Sequence, residues 1–253
     1  MKINLHCHTK YSDGNNTCFD MAKEHQKQGF SAFVVTDHVY PWYLNKRASV
    51  AITTREKFQR QKKELEEISE ELNFPCIQGI ELALYNEEIL VFGDKATKDI
   101  FDVIENINPQ EEEKYGDKIA YQKKIIRKLF SVIKANKEET AVILCHPHLV
   151  KTPKWVLKPL FSLLDGYEFQ NYGHYYFTDE TNLDKKRRND REVPPELKDK
   201  KKFYNSDAHS LRSVSFSEGN FHNFPITNLG DLIKWIKTPR EGMRIYFHGR
   251  DER

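Results

Sequence analysis

The chain has 253 residues, 38% of them hydrophobic and 31% charged, which excludes a disordered or fibrous protein and is enough for one sizeable core. Its 40 basic and 38 acidic residues leave a net charge of +2, so no global electrostatic pull toward nucleic acid or a membrane surface is expected. No run of 18 apolar residues occurs, so no membrane-spanning helix is expected either.

The N-terminus opens with a strand, residues 2–8, and shows none of the apolar leader of a signal peptide. Residues 17–28 read as a helix, capped by Thr17 and stopped by Gly29. A strand over 32–37 follows, then a helix over 54–72, whose Phe58, Leu65, Ile68 and Leu72 recur at helical spacing. Strands at 76–82 and 89–92 lead to helices at 99–107 and 117–137. The rest reads as strand 141–145, helix 154–164, strands 167–169 and 202–205, helix 229–236 and strand 243–247. Strand–helix alternation of this kind predicts a mostly parallel sheet with helices outside it. There is no internal repeat and no linker, so residues 1–253 are expected to form a single domain.

Two stretches interrupt the alternation. Residues 39–53 carry Trp42, Tyr43, Lys46 and Arg47. Residues 172–201 carry Tyr172, Tyr175, Tyr176 and Phe177, and the basic run Lys185, Lys186, Arg187 and Arg188. In a β/α barrel the loops that follow strands build the active-site face, so both stretches are expected beside the chemistry. The cysteines Cys7, Cys18, Cys76 and Cys145 form no CxxC pair and read as reduced thiols of a cytoplasmic protein.

The chemistry-bearing residues collect where apolar runs stop. His6 and His8 alternate with Leu5 and Cys7, so both imidazoles face one side of a strand while the apolar set packs on the other. A His-x-His pair alone is a weak signal. The pattern recurs, however, at Thr36-Asp37-His38, Gly79-Ile80-Glu81, Cys145-His146-Pro147-His148 and Asn205-Ser206-Asp207-Ala208-His209. Five strand ends carrying His, Asp or Glu are hard to explain as core histidines. Mixed imidazole and carboxylate suits divalent zinc, manganese or iron. A closed structural zinc site would be richer in cysteine. Of the remaining histidines, His25 is expected on a helix surface, and His222 and His248 in structural or exposed positions. His148 shares strand parity with His146, and His174 lies in an aromatic loop that could touch substrate.

Together, His6-Cys7-His8-Thr9, Tyr11-Ser12-Asp13-Gly14, Thr36-Asp37-His38, Gly79-Ile80-Glu81, His146-Pro147, Tyr167-Glu168 with Asn171, and Ser206-Asp207-Ala208-His209 resemble the PHP family, named for polymerase and histidinol phosphatase. The motifs come in family order across residues 6–209. The resemblance implies an α/β fold, a distorted seven-stranded (β/α) TIM-like barrel, with two or three divalent metal ions. It places His6, His8, Glu81 and Asp207 at one metal, and Asp13, His38 and His209 at a second. Glu81 would bridge toward a third position that includes His146. Many relatives supply a further histidine between the glutamate and His-Pro motifs. Here Glu87 or Glu88 falls at that place.

The expected function is hydrolysis of a phosphoester, such as a small phosphorylated metabolite or nucleotide, by a metal-bridging hydroxide attacking phosphorus in line. Asp207, His209 and Glu81 are the candidate catalytic residues, with Lys10, Arg212 and His174 as candidate substrate contacts. Arginine offers phosphate a forked donor. Two alternatives stand beside this reading: a nuclease acting on nucleic-acid ends, and a non-catalytic module that keeps the fold. The intact ligand set argues against the second. The sequence holds no Gly-rich phosphate loop, Ser-His-Asp arrangement or dinucleotide fingerprint.

Overall fold

The computed structural model describes residues 1–41, 54–107, 118–149, 152–171, 174–175, 192–215 and 219–238. The expected strand 243–247, His248, most of the 39–53 stretch and the basic run Lys185 to Arg188 lie outside the described residues.

The chain begins with β1 (Lys2–Ile3) and runs through residues 4–8 to α1 (Cys18–Lys27). Thr17 and Asp20 cap this helix reciprocally, which satisfies two donors that a helix start leaves open. The expected strand 32–37 is found as the shorter β2 (Phe33–Val35), and a separate β3 (His38–Val39) follows it. Next come α2 (Arg55–Leu72), capped by Thr54 and ended by Asn73 at φ 45°, then β4 (Cys76–Gln78), β5 (Ile80–Ala83) and β6 (Glu88–Phe92). Helix α3 (Asp94–Glu105) starts five residues ahead of the expected 99. It is followed by α4 (Lys118–Ala135), β7 (Ala141–Cys145), α5 (Lys154–Leu163), β8 (Gly166–Asn171), β9 (His174–Tyr175) and β10 (Lys201–Asn205). The described chain closes with α6 (Leu211–Ser215), β11 (Asn220–Phe221) and α7 (Leu229–Lys237).

The fold is mixed α/β. Seven strands form one sheet in the order β10-β8-β7-β6-β5-β3, with β9 added to β8, and two further pairs, β1-β11 and β2-β4, stand apart. Among the described residues the strands do not form one closed sheet. Short backbone links nevertheless run between them: His8 N–H donates to Ala208 O at 2.8 Å, and Thr36 N–H to Cys7 O at 2.9 Å.

The expectation of mostly parallel pairing is corrected: among the described residues β1-β11, β5-β6, β6-β7 and β8-β9 are antiparallel, against four parallel pairs. β6 is antiparallel to both β5 and β7. Only residues 84–87 separate it from β5, with Leu84 N–H bonded to Glu87 O at 2.9 Å. A tight turn of this length cannot make the crossover that a parallel neighbour needs.

Alternation along the sheet positions the site. Ile89, Val91, Val142, Leu144, Tyr167 and Phe169 pack on one face in a core shared with α3, α4 and α5. Leu90, Phe92, Ala141, Ile143, Cys145 and Phe203 pack on the opposite, inner face with Leu5 and Val34. Successive strand residues point to opposite faces. Glu81, Glu168 and His38, flanked by Ile80, Leu82, Tyr167, Phe169 and Val39 of the outer core, therefore turn to the inner side.

Candidate metal centre

His6 and His8 are fully buried, on the same side of the N-terminal segment, with Leu5 and Cys7 in the cores. His6 Nδ1 lies 2.9 Å from Glu168 Oε1. A carboxylate only accepts, so this nitrogen carries the proton and Nε2 keeps a lone pair. His6 Nε2 lies 3.2 Å from Glu81 Oε2 and 3.4 Å from Asp207 Oδ1. His8 Nε2 converges on the same two oxygens at 3.3 and 3.0 Å.

A second group forms around Asp13, which sits in the turn after His8. His38 Nε2 lies 3.4 Å from Asp13 Oδ2, and His209 Nε2 lies 3.2 Å from Asp13 Oδ1. His209 Nδ1–H donates to the Asp207 carbonyl at 2.8 Å, which again frees Nε2 to face the carboxylate. The ring of His8 stacks between those of His38 and His209, at 4.3 and 4.2 Å. Gly14 makes this turn fit: a Cβ there would fall 2.6 Å from the His8 and Thr9 backbone.

On the far side of Glu81, Oε1 lies 2.8 Å from His146 Nε2 and accepts from Cys145 Sγ at 3.3 Å. Thus every expected ligand, His6, His8, Asp13, His38, Glu81, His146, Asp207 and His209, is brought into one cluster. It contains four overlapping sets of ligand atoms, each lying within 4.8 Å of one another: His6, Glu81, Cys145 and His146; His8, Asp13, His38 and His209; His6, His8 and Asp207; and His38, Glu81 and Glu88. His146 and Asp207 adopt left-handed backbone, with φ of 23° and 50°. Strain of this kind is concentrated at functional sites.

The electrostatics follow from this crowding. Burial favours a neutral Glu81, yet His6 and His38 hold its carboxyl well below the usual range. Burial disfavours charge on His38, but Glu81 and Asp13 overcome it and lift its pKa to about 11. His146 rises to about 9 against burial, through Glu81. Asp207 and Asp13 are held low despite burial, by His6 and His8 in the first case and by His209 and His38 in the second. His8 is lowered, first by burial and then by His38. The buried carboxylates thus call for positive charge at this cluster.

Whether cations fit is decided by the atoms left without partners. His6 Nε2, His8 Nε2, Glu81 Oε2 and Asp207 Oδ1 are all buried and without a hydrogen-bond partner. Orphaned buried polar atoms are costly and rare. Here four of them point at one another, two imidazole nitrogens with lone pairs and two carboxylate oxygens. That donor set suits a divalent ion.

Behind the ligands lies a layer that the motifs only partly announced. Glu168 is fully buried and receives four donors: His6 Nδ1–H and Asn205 Nδ2 on Oε1, both at 2.9 Å, and His146 N–H and Asn171 Nδ2 on Oε2, both at 2.8 Å. Asp37, although within a motif, stands outside the cluster. It accepts from Thr9 N–H at 2.7 Å and from Ser12 Oγ and Gln61 Nε2, tying the turn that carries Asp13 to α2. Glu87 and Glu88 separate cleanly. Glu87 is turned away and accepts from His148 N–H, Leu149 N–H and Thr152 Oγ1, which clamps the loop after β7. Glu88 faces the cluster, 3.4 Å from His146 Nε2.

Of the candidate substrate contacts, Lys10 lies exposed in the turn between His8 and Asp13, and Arg212 lies exposed on α6, just after His209. His174 starts β9, and its side chain is outside the described residues. His148 is exposed, its ring 5.8 Å from that of His146. His222 is buried and bonded to Ser31 Oγ at 2.8 Å, a structural position as expected. The expectation for His25 is corrected: it is fully buried against Phe30 and Phe33, with Nδ1–H donated to Met21 O at 2.8 Å. Cysteines Cys7, Cys18, Cys76 and Cys145 are all free thiols, and no described helix is long and apolar enough to cross a membrane.

Fold and site together define an α/β protein with a clustered set of histidines and carboxylates that could hold cations. The chain matches the PHP domain model over residues 4–152, more than half its length, and it belongs to that family. It is 28% identical over 109 residues, 43% of the chain, to the DNA polymerase/3'-5' exonuclease PolX of Bacillus subtilis, of which it spans only 18%. A Bacteroides vulgatus two-domain protein containing a predicted PHP-like metal-dependent phosphoesterase shares the fold. Its TM-score is 0.54 at 15% identity, covering 93% of this chain and 62% of that one. A putative metal-dependent phosphoesterase from Bifidobacterium adolescentis aligns over 93% of this chain and 96% of its own, with 16% identity and a TM-score of 0.45.

Proposed function

We propose that this chain is a metal-dependent phosphoesterase acting on a small phosphorylated metabolite or nucleotide. One observation carries the reading: four buried, partnerless ligand atoms of His6, His8, Glu81 and Asp207 converge within a PHP-family fold. In this reading His6, His8, Glu81 and Asp207 hold one divalent ion, and Asp13, His38 and His209 hold a second. Divalent ions bound there would lower the pKa of water and neutralise charge developing on the phosphoryl oxygens. Glu168 holds the His6 tautomer, and the Asp207 carbonyl holds that of His209. Asp207, at the edge of the cluster, accepts the proton of the attacking water. His209, the most exposed of the ligand histidines with 35% of its side chain open, faces the leaving group. Lys10 and Arg212, both exposed on segments flanking the ligands, meet the phosphate.

The same reading takes residues 1–253 as one domain and the separate strand pairs as parts of a distorted seven-stranded barrel. It is supported by the links His8 to Ala208 and Thr36 to Cys7, and by the inner core that Leu5, Val34, Leu90, Ile143 and Phe203 share. Zinc, manganese and iron all suit the donors, and a cytoplasmic location agrees with the four free thiols.

The competing substrate is a nucleic-acid end, favoured by the match to a relative named as a 3'-5' exonuclease. The test is a hydrolysis screen of phosphomonoesters, cyclic and linear nucleotides and short oligonucleotides, with manganese, zinc or iron added. Turnover of a small phosphoester with shallow salt dependence supports the proposal. Digestion of oligonucleotides alone, with affinity falling steeply in salt, supports the alternative. No turnover of any phosphoester contradicts both.

A further inference from the structure

The charges of the outer helices are unevenly spread. Helix α4 carries six lysines or arginines and α5 two, and neither contains an aspartate or glutamate. By contrast, α2 and α3 mix both signs, with five basic and six acidic residues on the first and two and four on the second. Lys62 of α2 pairs with Asp94 at 2.8 Å, and Lys95 of α3 lies 3.4 Å from Asp99. Arg127, Lys128 and Lys134 of α4, and Lys154 and Lys158 of α5, are exposed and form no ion pair among the described residues.

Helical periodicity gathers these charges on one side. Ile125, Leu129 and Ile133 of α4 and Val156, Leu160 and Leu163 of α5 are turned into a shared core, which leaves the basic residues facing outward. The two outward faces join at the start of α5, where Lys123 of α4 lies over the Trp155 ring at 5.3 Å. The ring of Tyr85 stands near-perpendicular to the same indole, 5.7 Å away. This aromatic corner adjoins the metal centre. Helix α5 follows the loop that starts at His146 and is clamped by Glu87, and Tyr85 lies two residues before Glu87.

The shape and sign of this face select its partner. Helix α4 has 18 residues and is about 27 Å long, so its strip of one sign outruns any single phosphate group. An anionic membrane would call for apolar groups on the outward side, to enter the lipid. Ile119 is the one large hydrophobic residue fully exposed on either helix. A row of cations with an aromatic corner instead fits a chain of phosphates with bases between them.

We propose that the outward face of α4 and α5 binds the phosphate backbone of a single-stranded nucleic acid, with a base stacked at Trp155 and Tyr85. The face lies outside the metal centre, and the proposal stands apart from which phosphoester is hydrolysed there.

The test uses chelator-stripped protein, checked for folding by circular dichroism, and a fluorescein-labelled single-stranded DNA oligonucleotide, with affinity read by anisotropy as salt is raised. One variant carries Arg127→Gln, Lys128→Gln, Lys154→Gln and Lys158→Gln. A control carries Lys62→Gln, Lys63→Gln, Lys95→Gln and Lys98→Gln, which removes the same charge from α2 and α3. Wild-type affinity is expected to fall steeply with salt. Each phosphate contact on a single strand contributes about 0.7 to the slope of log affinity against log salt, so the α4–α5 variant should flatten that slope by up to about 3 and bind at least about tenfold more weakly. The control should keep the wild-type slope, and with manganese restored both variants should hydrolyse a chromogenic phosphoester at the wild-type rate. Wild-type affinity and slope in the α4–α5 variant, or an equal loss in the control, would overturn the proposal. So would wild-type protein that binds phosphatidylserine vesicles and not the oligonucleotide, or an α4–α5 variant that loses phosphoester turnover together with oligonucleotide binding. Wild-type protein that binds the oligonucleotide but hydrolyses no phosphoester would contradict the metal-dependent reading and leave this surface standing.

Discussion

Replacing Glu168 by Gln probes how far the ligands depend on the groups that stand behind them. The carboxylate accepts four hydrogen bonds, two on each oxygen, with no exposure to solvent. An amide offers one oxygen and one NH2, so two of the four donors meet a donor whichever way it is turned. Hydrogen bonds to charged groups contribute about 1.5–3 kcal/mol each, so losing two costs roughly 3–6 kcal/mol of stability. If the NH2 takes the Oε1 place, His6 can answer it only by shifting its proton to Nε2, which removes the lone pair facing Glu81 and Asp207. Metal affinity should then fall by about 10- to 100-fold. Urea denaturation without metal gives the first quantity, and competition against a chromogenic chelator gives the second. A Gln variant within about twofold of wild type in affinity, and within about 1 kcal/mol in stability, would refute the assignment of Glu168 as the group that orients His6.

Other outcomes rest on single contacts. His25 is fully buried, and burial lowers its pKa from 6.5 to about 4, so the unfolded chain binds its proton first as pH falls. Its contribution is complete above about pH 6.5 and is lost toward pH 4, by roughly 2 kcal/mol between pH 7 and 4.5, and His25→Leu should flatten that part of a stability–pH curve. Glu87→Ala leaves His148 N–H, Leu149 N–H and Thr152 Oγ1 without their acceptor. It should speed hydrogen exchange at the His148 and Leu149 amides by about tenfold or more, and unchanged protection would contradict the clamp. Gly14→Ala drives a Cβ into backbone at 2.6 Å. It should cost about 1–3 kcal/mol in denaturant unfolding and displace Asp13, seen as weaker metal binding.

The ligands were legible because each closes an apolar run with a group that a core would reject unpaired, as His6 and His8 do beside Leu5 and Cys7. Contacts between segments distant along the chain were not legible. Nothing near Tyr40 in sequence announces Glu88, to which its hydroxyl donates, and nothing near Glu87 announces the loop at His148 that it holds. The orientation of β6 did leave a trace, since residues 84–87 are too few for a crossover. His25 left one as well. Cys18, Met21, Ala22 and His25 are all buried and fall on one helical face, so the histidine takes a core position by periodicity. Asp37 sits in a motif next to a ligand yet spends its oxygens on Thr9, Ser12 and Gln61, which only the packing of α2 against the N-terminal turn decides.

The central claim is that the clustered histidines and carboxylates act through bound cations on phosphoesters. The most direct measurement is the rate at which chelator-stripped protein hydrolyses chromogenic phosphomonoesters and phosphodiesters as manganese is titrated back, with Asp207→Ala alongside. The account predicts no turnover in the stripped protein, recovery that saturates at two or more equivalents of metal per chain, and loss of nearly all activity in Asp207→Ala. Full turnover without metal, or a folded Asp207→Ala protein hydrolysing at the wild-type rate, would contradict it.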